Sequence, residues 1–91
     1  MKWKIDVKDK CKKELYKLDK QSQTTILKYL YTRVAKVDHP KLLGEALRHD
    51  LKGLWRYRVD KFRIVCRIEE ESLTVLVLEI GKRDAIYENN S

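Results

Sequence analysis

Residues 54–68 read LWRYRVDKFRIVCRI. Apolar and polar residues alternate on both sides of a two-residue break at Asp60-Lys61, the pattern of two antiparallel strands joined by a tight turn. Pairing across that turn sets Val59 opposite Phe62, Arg58 opposite Arg63, Tyr57 opposite Ile64 and Arg56 opposite Val65. Trp55, Tyr57, Val59, Phe62, Ile64, Cys66 and Ile68 then share one face, the core side. Arg56, Arg58 and Arg63 share the other. Like charges directly opposite one another destabilise a sheet, so the fold gains nothing from this triplet by itself. A polyanion laid across it removes the penalty, which points to a phosphate-binding surface on a sheet.

On the C-terminal side of the hairpin, Glu69 to Ser72 make a turn into Leu73–Ile80, LTVLVLEI, apolar on both faces except at Thr74 and Glu79. Such a run predicts the most buried strand. On the N-terminal side, Pro40 to Gly53 reads as a loop. Trp3, Ile5 and Val7 alternate with Lys2, Lys4 and Asp6, a strand with one buried face. From about Asp9 the period changes. Cys11, Leu15 and Leu18 form the stripe of a short amphipathic helix. A second helix, capped by Asp19 or Ser22, turns Ile26, Leu27, Leu30, Val34 and Val37 inward and ends before Pro40. The order is β-α-α-β-β-β, an α+β domain with an N-terminal helical hairpin packed on an antiparallel sheet.

At 91 residues the chain reads as one small domain spanning residues 1–91. Its 43% hydrophobic content is ordinary and its 38% charged content high, a compact core under a very charged surface. Lysine plus arginine outnumber aspartate plus glutamate by 21 to 14, a net +7. That excess favours nucleic acid, an anionic membrane or an acidic protein as partner. No apolar run approaches the ~20 residues of a membrane span. The start, MKWKIDVKDK, has no apolar signal-peptide core, so a cytoplasmic protein is expected. Cys11 and Cys66 read as buried small hydrophobes. His39 and His49 stand ten residues apart without metal-ligand spacing, so neither metal nor cofactor is expected.

These residues resemble the RelE/ParE toxin superfamily, the toxin halves of bacterial type II toxin–antitoxin modules. The likeness covers nearly the whole chain and is most specific from Leu47 to Tyr87, where the hydrophobic strand ends in Gly81-Lys82-Arg83 with Tyr87 shortly after. The ending is especially like the RelE branch, whose members cut messenger RNA in the ribosomal A site and are silenced by a bound antitoxin. The ParE branch shares the fold but poisons DNA gyrase. The resemblance implies catalytic roles for Arg56 and Arg58, matching a basic pair before the turn, and for Arg63, Arg83 and Tyr87. Lys52, Lys61 and Lys82 are then substrate-binding. Lys82 stands where many relatives carry histidine, so a histidine acid–base step is missing at that position. Some branches use a glutamate base before the hairpin, and Glu45 lies near that place. The partners implied are a RelB-like antitoxin, the ribosome and mRNA, and operator DNA reached through the antitoxin complex.

Metal-free RNA cleavage needs deprotonation of a ribose 2′-hydroxyl, neutralisation of a phosphorane-like transition state and protonation of the leaving 5′-oxygen. Arginine suits the second task, because its planar fork binds phosphate oxygens in pairs. Arg56 and Arg58 are expected to activate the 2′-oxygen and phosphate, Arg63 to meet the scissile phosphate and Arg83 the leaving group. Tyr87 offers a face on which a base can stack. His49 has a suitable pKa for acid–base work, though a loop histidine is more often incidental. The lysines of the first helix are either a solubilising face or a grip on ribosomal RNA. Alternatives to the endoribonuclease are a gyrase-poisoning toxin and a catalytically silent module that binds only antitoxin and operator DNA. Arg63, placed on the solvated face, is expected to be removable without opening a cavity.

Overall fold

The computed structural model describes residues 2–48 and 51–82. Strand β1 (Lys4–Val7) leads into helices α1 (Asp9–Tyr16) and α2 (Lys20–Tyr29), and α2 continues as a π-helical turn over Leu30–Val34. A 3-10 turn (Pro40–Leu43) and a two-residue strand β2 (Glu45–Ala46) precede β3 (Trp55–Val59), β4 (Phe62–Glu69) and β5 (Thr74–Lys82). One sheet holds all five strands in the order β1-β5-β4-β3-β2. Strands β3, β4 and β5 pair antiparallel, as expected, and β2, from the segment read as a loop, adds antiparallel to β3. The wholly antiparallel sheet is corrected at β1, which pairs parallel to β5, so the sheet is mixed. A parallel neighbour needs a long crossover, and the two helices provide it.

Asp19 is the N-cap of α2, its Oδ2 accepting from Ser22 N at 3.3 Å, and Ser22 Oγ donates to Asp19 Oδ1 at 2.6 Å. The two candidate caps thus form one cap. Ile26, Leu30 and Val34 are fully buried against the sheet, each such side chain stabilising the fold by ~1.5–3 kcal/mol. Across the interface lie Tyr57, Val59, Phe62, Ile64, Cys66, Val75, Val77 and Ile80. Val37, expected inward, is only half-buried because the helix has ended at Val34.

The hairpin has the register read from its alternation, with Val59↔Phe62, Arg58↔Arg63, Tyr57↔Ile64 and Arg56↔Val65. Asp60 takes a left-handed φ of 55° at the tip, a conformation its short polar side chain tolerates. The β4–β5 ladder shifts between Val65 and Cys66: Val65 pairs with Glu79 and Cys66 with Val77. The residue between them, Leu78, is a bulge, and it returns Ile80 to the core face.

Part of the expected loop is structured. Tyr57 Oη donates to Pro40 O at 2.8 Å and Trp55 Nε1 to Lys41 O at 3.0 Å, tying the 3-10 turn to β3. Glu45 and Ala46 then pair with Arg56 and Trp55. The close approach depends on Gly44: a Cβ there falls 2.4 Å from Arg56 O and 3.0 Å from the rings of Trp55 and Tyr57. Gly44→Ala is expected to push β2 off β3 and to cost roughly 1–3 kcal/mol, the usual scale of overpacking. Thermal unfolding checks it, and an unchanged midpoint would mean that β2 contributes nothing to the fold.

Candidate functional site

Arg56 and Arg58 alternate on β3 with the buried Tyr57 and Val59, so both stand on the sheet face away from the helices. Arg63 lies opposite Arg58 and shares that face by register. Three guanidinium groups are therefore gathered on adjacent strands, as the alternation predicts. Their exposure differs from expectation. Arg58 is exposed, the Arg56 side chain is only 12% exposed and Arg63 only 2%. Arg63 is thus corrected from a solvated to a buried cation: the face away from the helices is not open at its centre, where Val65 and Leu76 are buried as well. Its removal would open a cavity after all.

A carboxylate joins the cluster. Glu45, directly across from Arg56 in the β2–β3 pairing, places Oε2 2.9 Å from Arg56 NH2 and Oε1 3.9 Å from Arg58 Nε. The hydrogen bond and charge of Arg56, then the charges of Arg58 and Arg63, hold its carboxyl below the usual carboxylate range. Arg56 Nε is buried and finds no acceptor among the described residues. The site therefore combines three cations, one ionised carboxylate and a spare guanidinium donor, an arrangement suited to a tetrahedral oxyanion.

Two of the expected substrate lysines stand at the tip end of the hairpin but on the side of the core-facing Phe62, not with the arginines. Lys61 is exposed at the hairpin tip, with Nζ 5.6 Å from the centre of the Phe62 ring. Lys82, also exposed, pairs with Phe62 at the end of β5. Lys52 is exposed in the turn entering β3, at the end of that strand away from the tip, next to Gly53 with its φ of 94°. Arg83, Tyr87 and His49 lie outside the described residues. Among the described residues no group of three His, Cys, Asp or Glu side chains is placed to hold a metal ion, and no helix is long and apolar enough to cross a membrane.

A family model described as the ParE toxin of type II toxin–antitoxin systems, parDE, matches residues 5–87. The chain belongs to this toxin family. Toxin RelG of Mycobacterium tuberculosis is 26% identical over 76 residues, covering 84% of this chain and 85% of RelG. Toxin RelE of the same organism is 35% identical over 54 residues, 59% of this chain and 56% of the relative. Among solved structures, the RelBE2 toxin–antitoxin complex from M. tuberculosis superposes with a TM-score of 0.83 at 22% identity, over 91% of this chain and all of the matched chain. A mutant E. coli toxin RelE in the free state gives 0.75 at 21% identity, over 99% of this chain and 93% of that one. The toxin thus has the fold of the RelE structures.

Both cysteines of the toxin are buried, and burial raises both thiols above their ordinary pKa, as fits inert core residues. Its paired carboxyls behave oppositely. Asp19 is lowered by the Ser22 hydrogen bonds, Asp38 by Lys2 and Glu45 by Arg56. A group depressed in the folded state contributes stability that is present above the unfolded carboxyl range, about 3.9–4.3, and is lost as pH falls through the folded values. Urea unfolding midpoints should therefore stay level from neutral pH to roughly 5 and decline below about 4. Glu45→Gln should shallow that decline, and an equal decline in both proteins would show that the Glu45 pair adds nothing to stability.

Proposed function

We propose that this toxin is a ribosome-dependent endoribonuclease that cuts translated mRNA in the A site. The observation that supports this reading is the gathering of Arg56, Arg58 and Arg63 on one sheet face. The 2′-oxygen attacks the adjacent phosphorus, the bond from phosphorus to the 5′-oxygen breaks, and the products are a 2′,3′-cyclic phosphate and a 5′-hydroxyl. The 2′-hydroxyl proton leaves, and one proton is delivered to the 5′-oxygen. No metal ion takes part.

Arg56 and Arg58 bind the phosphate and lower the pKa of the 2′-hydroxyl by their charge. Arg63, buried across the ladder from Arg58, acts on the scissile phosphate through its field, which low local polarity strengthens. Each such group contributes about 3 kcal/mol, by analogy with the removal of one oxyanion donor. The guanidinium group offers donors and no acceptor, so arginine serves as charge and not as base. Arg83 is assigned to the leaving oxygen and Tyr87 to stacking on a base.

The toxin acts in the cytoplasm and is held silent by an acidic, RelB-like antitoxin, the complex also contacting operator DNA. Two solved relatives are described as a RelBE2 complex and as RelE bound to an antitoxin RelBc peptide. The +7 charge of this chain fits such a partner. The test is incubation of purified toxin with ribosomes carrying a defined mRNA. Cleavage at a fixed position in the A-site codon, lost on adding antitoxin, is expected. Intact mRNA would overturn the reading. The family description names ParE, which favours gyrase inhibition as the second reading. Accumulation of gyrase-cleaved plasmid in a parallel reaction would establish it instead.

A further inference from the structure

We infer that Glu45 gates the phosphate site: its carboxylate occupies Arg56 and Arg58 as an internal anion that an incoming RNA phosphate must displace. The inference rests on the reading of these arginines as phosphate-binding. One carboxylate spans two guanidinium groups, at 2.9 Å from Arg56 NH2 and 3.9 Å from Arg58 Nε, much as two oxygens of one phosphate would. The two partners differ in their freedom to move. The Arg56 side chain is 12% exposed and the Glu45 side chain 61%. Glu45 can therefore swing into water without opening a cavity, whereas Arg56 stays in place. Strand β2, which carries Glu45, is only two residues long and lies at the sheet edge, so little else moves with it.

The exchange favours phosphate for a chemical reason. Glu45 leaves the buried Arg56 Nε without an acceptor among the described residues. A phosphodiester in its place offers two charged oxygens to the fork and can take up that donor. The penalty of removing the carboxylate applies to every phosphate that arrives. A weakly held phosphodiester is rejected, and one presented with additional contacts, as on a ribosome, is accepted. Glu45 thereby keeps free RNA off the arginines at concentrations where a presented phosphodiester still saturates them.

The experiment titrates a fluorescent 2′-O-methyl RNA oligonucleotide, which cannot be cut, with the full-length wild-type chain, Glu45→Gln and Glu45→Ala at several salt concentrations. Glu45→Gln keeps the size of the side chain and guards against loss of fold, which a melting curve confirms. Both variants are expected to bind about two- to fivefold tighter, the range that an exposed ion pair carries. The dependence of log affinity on log salt should steepen by roughly 0.7, one more counterion released from the freed arginine. Equal or weaker binding by a folded Glu45→Gln overturns the inference, since Glu45 would then only position the arginines or be idle. That outcome leaves the ribonuclease reading standing if wild-type toxin still cuts ribosome-bound mRNA. Failure of wild type to bind the oligonucleotide and to cut on ribosomes overturns both.

Discussion

Arg63→Ala is expected to abolish detectable cleavage and to lower stability by about 2–4 kcal/mol, the scale of emptying a buried site and of breaking a buried charged contact. Arg63 is among the largest fully buried side chains of the domain. Its loss therefore removes the packing of its stem in the central strand β4 and, on the proposed reading, a charge whose field reaches the reacting phosphate. For a domain of this size the midpoint should fall by on the order of 10 °C. Arg63→Met separates the two effects, because methionine fills much of the stem volume without the charge. The Met variant should melt well above the Ala variant and remain as inactive. A Met variant that cuts at the wild-type rate would show that the buried charge has no part in the chemistry.

Arg58→Ala should lower the rate of cleavage on ribosomes by about 10²–10³-fold, the effect of losing one donor aimed at developing charge. Its stability should change by less than about 0.5 kcal/mol, as for exposed positions in general. The side chain is 42% exposed, and its cross-strand neighbour is another arginine. Removing one of two opposed cations relieves repulsion while losing the Glu45 pair opposes that gain, so the melting midpoint should move little. Activity assays and melting curves on the same preparation give both numbers. A large fall in the midpoint with full activity would reverse the assignment.

The contrast between these neighbours marks where sequence reading stops. Alternation around Asp60-Lys61 was enough to place Arg58 opposite Arg63 in the right register, because a slip of one residue would turn Tyr57, Ile64 and Cys66 out of the core. Alternation states which face a side chain takes, however, and not whether that face is covered, so the burial of Arg63 was illegible. Direction of pairing is equally absent from a pattern of period two, and β1 therefore read as antiparallel. The two residues of β2 are too few to carry any period. Glu45 entered the sequence reading only through a family likeness, although its position across from Arg56 gives the site its carboxylate. Leu78 was hidden because a strand apolar on both faces shows no change of phase at a bulge. The switch to a helical period near Asp9 was legible, and α1 begins at that residue.

Transcript 5′ ends, mapped at nucleotide resolution after the toxin is induced without an antitoxin, test most directly whether this arginine face cuts mRNA during translation. The expected result is new 5′-hydroxyl ends at a fixed position within codons of translated frames, absent from untranslated leaders and absent in cells expressing Arg58→Ala. Intact transcripts in growth-arrested cells, with cleaved DNA trapped on gyrase, would contradict it.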